Sequence, residues 1–295
     1  MNVSDTVRAC AKVNLALEVL DRRPDGYHDI ESVAVCVGLW DRLGLDVTEG
    51  EPRVVVSVEG EEAPTDRHNT VHRAAAGFLR VTGLSLGVRV RLVKEIPAQS
   101  GLGGGSSDAA ATLRMLNEIA GNALDADALI SIGAEIGSDV PLFLTGGAVL
   151  MHGRGEAVTP LHDVPRFWLV IAKPEYGVST ERAYAALDAL PDRLYQGAAA
   201  EIAAAIHEGD GALMAGMLWN DFEGPVFELY AGLRELKMRL IDLGAAGALL
   251  AGSGSAVFGV FTARGPADSA WETLSAEGWR TWRVPSLTRE ESLAP

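Results

Sequence analysis

The stretch Pro97-Ala98-Gln99-Ser100-Gly101-Leu102-Gly103-Gly104-Gly105-Ser106-Ser107-Asp108-Ala109-Ala110 constrains this chain more than any other. A strand pattern feeds it: Val88, Val90 and Leu92 alternate with Arg89, Arg91 and Val93, a period of two. A helix pattern leaves it, with Ala109, Leu113, Leu116 and Ala120 at helical spacing and Gly121-Asn122 as the stop. Gly101, Gly103, Gly104 and Gly105 carry no Cβ, so the backbone there can turn left-handed and come close to a ligand. Ser106 or Ser107 suits the N-cap of the following helix. A glycine loop opening onto a helix N-terminus presents free N–H groups and the positive end of the dipole, an arrangement that holds phosphate.

Two common phosphate loops are excluded. Gly-x-x-x-x-Gly-Lys-Ser/Thr needs a lysine that this loop lacks. Gly-x-Gly-x-x-Gly fails from both starts: from Gly101 the last position holds Ser106, and from Gly103 it holds Asp108. A nicotinamide oxidoreductase fails with it. A flexible linker or tight turn would also be glycine-rich, but a linker does not join a strong strand pattern to a strong helix pattern.

The chain of 295 residues is long for one core and comfortable for two domains. The first half alternates strands (7–20, 30–37, 53–58, 88–96) with helices (70–82, 107–120, 126–136). Two prolines in Thr159-Pro160-Leu161-His162-Asp163-Val164-Pro165 break the pattern and mark a boundary, giving domains 1–162 and 163–295. The second half resumes with a strand at 167–172 and helices at 180–189, 197–208 and 211–217. A long helix follows from Pro225 to Leu243, its stripe running through Val226, Leu229, Leu233, Leu236 and Leu240 to a Gly244 stop. Strands at 257–261 and 280–284 precede a frayed tail, Thr288 to Pro295.

With 25 Lys and Arg against 40 Asp and Glu, the net charge is −15. Such a surface repels nucleic acid and anionic membranes, so neither is an expected partner. No apolar run reaches the ~20 residues that span a bilayer, and Met1 to Arg8 lacks a signal-peptide core. The expected location is cytoplasmic, with Cys10 and Cys36 as reduced core residues.

Outside the loop, three segments carry chemistry. Ala11, Val13, Leu15, Leu17 and Val19 form one apolar strand face, so Lys12 and Asn14 share the other. Side by side they can grip an oxyanion and a polar group; they equally describe a strand with one wet face. Asp139, just before Val140-Pro141, reads as a helix N-cap. Pro24-Asp25-Gly26 is a turn that hands the chain to Tyr27 and His28, a pair that an ordinary turn could also carry. The histidines at 68, 72, 152 and 162 form no metal spacing, and His207 stands alone.

Pro-x-x-x-Gly-Leu-Gly-Gly-Gly-Ser-Ser resembles the ATP loop of the GHMP kinases, the superfamily of galactokinase, homoserine kinase and mevalonate kinase. Ala11-Lys12-Val13-Asn14-Leu15 and Gly252-Ser253-Gly254-Ser255-Ala256-Val257-Phe258 resemble its other two signatures, in the same order along the chain. Arg23-Pro24-Asp25-Gly26-Tyr27-His28 and Gly137-Ser138-Asp139-Val140-Pro141 resemble the branch that phosphorylates a cytidine diphosphate-linked polyol for non-mevalonate isoprenoid synthesis.

The resemblance implies an α/β fold of α+β two-layer lobes, a ribosomal-S5-domain-2-like N-terminal lobe and a ferredoxin-like C-terminal lobe. It implies ATP, with Mg²⁺, held by Pro97, Ala98, Gln99, Ser100, Gly101, Leu102, Gly103, Gly104, Gly105, Ser106 and Ser107. It gives Lys12 and Asp139 as catalytic, Asp139 accepting the proton of the attacking hydroxyl and Lys12 keeping it ionised. Asn14 would contact substrate, Tyr27 stack on the cytosine, His28 bond its edge and Tyr184 cover its other face. Gly252, Ser253, Gly254 and Ser255 would lie beside the active site. For the metal, no acidic residue near the loop stands out beyond Asp108 and Asp139. A homoserine- or mevalonate-type kinase and a catalytically silent sugar- or nucleotide-sensing relative are the alternatives.

Overall fold

Alternating apolar residues extend the first two strands well past the expected bounds. In the computed structural model, which describes residues 2–190 and 195–294, they are β1 (Asn2–Arg22) and β2 (His28–Glu49). They pair antiparallel along most of their length, with register shifts at Cys10/Ala11, Asn14/Ala16 and Val19/Arg22 that let so long a ribbon bend. Next come β3 (Arg53–Gly60), α1 (Thr70–Thr82), β4 (Leu86–Lys94), α2 (Gly104–Ile119), α3 (Ala126–Ile136) and α4 (Val140–Thr145). β5 (Ala148–His152) and β6 (Ala157–Pro160) form a hairpin.

The second half supplies β7 (Trp168–Lys173), α5 (Thr180–Asp188), α6 (Ala198–Glu208), α7 (Gly211–Gly216) and β8 (Trp219–Asn220). It ends with α8 (Glu223–Leu229), α9 (Ala231–Asp242), β9 (Gly247–Leu250), β10 (Val257–Phe261), α10 (Arg264–Ala276), β11 (Arg280–Pro285) and α11 (Arg289–Leu293).

Two sheets result among the described residues. The larger runs β3-β4-β2-β1-β8, with β5 on β2 and β6 on β5. The smaller is antiparallel, in the order β11-β7-β10-β9. α2 is buried nearly all round, from Ser107 to Asn117, as a central helix must be. One apolar core joins Ala11, Val13 and Leu15 of β1 to Leu169, Ile171, Leu249 and Phe258 of the smaller sheet. This stretch of β1 therefore lies between the sheets with both faces covered. Lys12 and Asn14 are buried, which rules out a wet strand face.

The second half also reaches back into the first. β8 pairs in parallel with Ala16 and Leu17. The tail is not frayed: Thr288 caps α11 with a reciprocal Thr–Glu capping box, and Arg114 donates to Leu293 C=O at 2.8 Å. Pro295 lies outside the described residues. The single helix expected over 225–243 is two helices. Tyr230, at φ −139° and ψ 73°, leaves helical geometry between α8 and α9 and stacks on Tyr176 at 5.4 Å. Among the described residues no helix is long and apolar enough to cross a membrane.

Candidate active site

The glycine loop runs from the end of β4 into α2, and the helix starts earlier than expected. Its N-cap is Gly103 at φ +76°, with no side-chain cap; Ser106 and Ser107 belong to the first turn. Both donate their N–H to Gly103 C=O, at 3.1 and 3.0 Å. Among the described residues, no acceptor meets the N–H groups of Gly104 and Gly105. An uncapped helix end is thus open to an anion.

The glycines are small for the protein's own sake. A Cβ on Gly101 would stand 1.8 Å from Ala251 O, and one on Gly103 would meet the Phe143 ring at 2.9 Å and the Lys12 stem at 3.1 Å. At Gly101 and Gly103 the missing side chains are thus required by the protein's own packing, whatever binds there. Close packing fixes the loop from several sides. Lys12 N–H donates to Leu102 C=O at 3.0 Å, Ser255 N–H to Gln99 C=O and Ala256 N–H to Ser100 C=O, both at 3.2 Å. Thr70 Oγ1 donates to Gly105 C=O at 2.6 Å.

Lys12 and Asn14 leave β1 on the same side. Lys12 Nζ donates to Asn14 Oδ1 at 2.6 Å and stands 3.5 Å from Asp139 Oδ2. Asn14 Nδ2 donates to Ser32 Oγ at 2.9 Å, and that hydroxyl donates to Ala16 C=O at 2.6 Å, which fixes the amide's orientation. Asp139 occupies the N-cap position of α4, as read from the sequence, but its carboxylate makes no capping bond. It is one-third exposed and faces the cavity and Lys12 instead.

That cavity, about 850 Å³, gathers the expected residues. Lys12, Asn14, Tyr27, His28, Gly101, Gly103, Asp139, Tyr184, Gly252 and Ser253 all line it. Gly254 and Ser255 do not. The segment is the β9–β10 hairpin loop, and its second half turns back to hold the glycine loop, with Ser255 Oγ donating to Tyr176 C=O at 2.8 Å. A second hollow of about 380 Å³, lined by Pro97 to Ser106 with Asn69, Thr70, Lys94 and Asp108, shares Gly101 and Gly103 with the first. The glycine loop is thus a wall common to both hollows.

Tyr27 is largely exposed at the cavity rim, with the Arg154 guanidinium 5.2 Å from its ring centre. His28 is buried: its ring stacks on Tyr184 at 5.0 Å and Nε2 lies 2.8 Å from Asp188 Oδ1. Tyr184 also meets Phe222 edge-on. Burial, then Asp139 and Asp188, push its hydroxyl up to about 12, so it stays neutral. One face of Tyr184 thus lies on His28, while the residue also lines the cavity.

Below the loop lies a charge cluster that the sequence did not announce. Lys94 Nζ bonds Asp41 at 2.5 Å and Asp108 at 2.7 Å, all three buried. Burial lowers the lysine, but the two carboxylates outweigh it and hold it raised. Asp108 is pushed up to about 8 by burial and, against the pull of Lys94, by Asp41; its Oδ1 has no partner among the described residues.

Similarity to known proteins extends over both halves of the chain. Residues 69–147 match the GHMP kinases N terminal domain, and residues 200–279 match the GHMP kinases C terminal domain. A 4-diphosphocytidyl-2-C-methyl-D-erythritol kinase of Alkaliphilus metalliredigens is 36% identical, across 97% of both chains. The chain is a GHMP kinase. One of the same description from Pelotomaculum thermopropionicum is 41% identical over 86% of this chain and 88% of that one. A crystal structure of 4-(cytidine 5'-diphospho)-2C-methyl-D-erythritol kinase superposes with a TM-score of 0.79 at 34% identity, covering 96% of this chain and 99% of that one. The homoserine kinase of Cytophaga hutchinsonii, at 21% identity and a TM-score of 0.78 over 98% and 96% of the two chains, shares the fold.

In this GHMP kinase no cluster of three or more His, Cys, Asp or Glu is placed to hold a metal among the described residues. Magnesium in a kinase is carried mainly by phosphate oxygens, with one or two protein oxygens added. Asp139 faces the cavity and Ser106 lines the second hollow, whereas Asp108 is engaged by Lys94. Sequence reasoning missed Asp188 and Arg154. Asp188 carried one faint signal: it follows Tyr184 by four residues, on the same helix face.

Proposed function

We propose that this GHMP kinase transfers the γ-phosphoryl group of ATP to the 2-hydroxyl of 4-diphosphocytidyl-2-C-methyl-D-erythritol. The observation that carries the reading is the shared wall: Gly101 and Gly103 border both hollows, with Lys12 and Asp139 on the acceptor side. Phosphoryl transfer needs little beyond alignment and charge stabilisation. The open N–H groups of Gly104 and Gly105 bind phosphate oxygens at the positive end of α2. Asp139 accepts the proton of the attacking hydroxyl, and Lys12, 3.5 Å away, steadies the carboxylate and the transferring group. Asp139 and Ser106 are the residues that would help hold a magnesium ion, which would supply charge neutralisation.

Tyr27 and Tyr184 offer aromatic faces for the cytosine, and His28 offers a ring nitrogen for its edge. Arg22 and Arg154, at the same end of the cavity, bring positive charge to the diphosphate in a chain of net charge −15. A homoserine or mevalonate kinase has no use for such a base pocket.

The direct test is a coupled assay of ADP release. Turnover is expected with the cytidyl substrate and not with homoserine or mevalonate; a preference for either of those would refute the reading. Tyr27→Ala should raise KM for the cytidyl substrate about 5- to 100-fold, the worth of one base stack, and barely move KM for ATP. Equal rises in both constants would remove Tyr27 from the base site.

A further inference from the structure

Asp188 has no part in the motifs, yet it is the polar partner of the buried His28 ring. Their contact, Nε2 to Oδ1 at 2.8 Å, spans 160 residues of sequence and joins the start of β2 to the end of α5. Tyr184, one turn earlier on α5, stacks on the face of the same ring at 5.0 Å. The imidazole is thus held in its plane by one side chain and about its axis by the other.

A neutral imidazole carries one N–H, and the hydrogen bond at one nitrogen decides which nitrogen has it. A carboxylate only accepts, so Asp188 keeps the hydrogen on Nε2 and leaves Nδ1 with a free lone pair. Among the described residues Nδ1 has no hydrogen-bond partner, and the ring lines the cavity.

From this we infer that Asp188 is the positioning residue that makes the base pocket select cytosine over uracil. The two pyrimidines differ at position 4, where cytosine has an amine donor and uracil a carbonyl acceptor. A Nδ1 lone pair accepts from the amine and repels the carbonyl. Were the hydrogen on Nδ1 instead, the preference would reverse. The inference rests on the cytidyl reading above and adds to it the residue that sets base selectivity.

The test uses Asp188→Ala and Asp188→Asn, assayed at pH 8 with the cytidyl substrate and its uridyl counterpart. In Asp188→Ala, KM for the cytidyl substrate should rise about tenfold or more, with kcat changing far less. The cytidyl-over-uridyl ratio of kcat/KM should fall about 10- to 100-fold, because an unfixed ring no longer penalises the wrong edge. Nitrogen-15 NMR of the histidine ring, which needs no turnover, should find the His28 hydrogen on Nε2 in the unaltered protein. In Asp188→Asn, whose amide can also donate, it should move in part to Nδ1. An unchanged selectivity ratio in an active Asp188→Ala enzyme, or a hydrogen already on Nδ1 in the unaltered protein, would overturn the role of Asp188 and leave the kinase reading intact. Failure of the unaltered protein to use the cytidyl substrate would instead overturn that reading, and the selectivity claim with it.

Discussion

Asp139→Asn is expected to lower kcat about 10²- to 10⁴-fold, the usual loss when a general base is removed. The amide has nearly the carboxylate's shape, and Asp139 makes no capping bond that α4 would lose. Its oxygen can still face Lys12, whose other partner, Asn14, is untouched. The thermal midpoint and ATP binding measured by calorimetry should therefore change little while turnover collapses. A variant that keeps kcat within tenfold of the original would end the assignment of Asp139 as base.

Gly101→Ala should damage the site from the opposite direction, through backbone. Gly101 has φ +79°, and its added Cβ would lie 1.8 Å from Ala251 O and 2.6 Å from Ala251 C. Those are main-chain atoms of the β9–β10 hairpin loop, so no side-chain rotation relieves the clash. The glycine loop must move away, and the Ser255–Gln99 and Ala256–Ser100 bonds stretch with it. The expected result is at least a tenfold rise in KM for ATP and a thermal midpoint lower by roughly 5 °C. Gly105→Ala is the control. It lies within α2, and its Cβ would meet nothing nearer than Thr70 Oγ1 at 3.4 Å. Equal behaviour of the two variants would show that the tight contact at Gly101 does not matter.

Several parts of this site could be read from residue order because local geometry carries them. Lys12 and Asn14 share a side because strands alternate, and the loop opens onto α2 because a strand pattern meets a helix pattern there. Other parts depend on contacts across the chain. His28 gives no hint of Asp188, and Gly101 gives none of Ala251. Two residues of β8 are too few to show any period, although they extend the larger sheet. The stripe from Val226 to Leu240 looked continuous because leucine spacing says nothing about Tyr176, which stacks on Tyr230 at the break between α8 and α9. The tail looked frayed because five helical residues are weak on their own; its capping box and the Arg114 contact hold it in place.

That docked tail bears on how the molecule is made. The ribosome delivers Ser286 to Leu293 long after β1 and β2, yet these residues bridge Val37, cover the Cys10 thiol and accept a hydrogen bond from Arg114. During translation the nascent larger sheet must wait with that flank uncovered, and a chain clipped before Ser286 would leave a cysteine and an arginine without the backbone carbonyls that shield them.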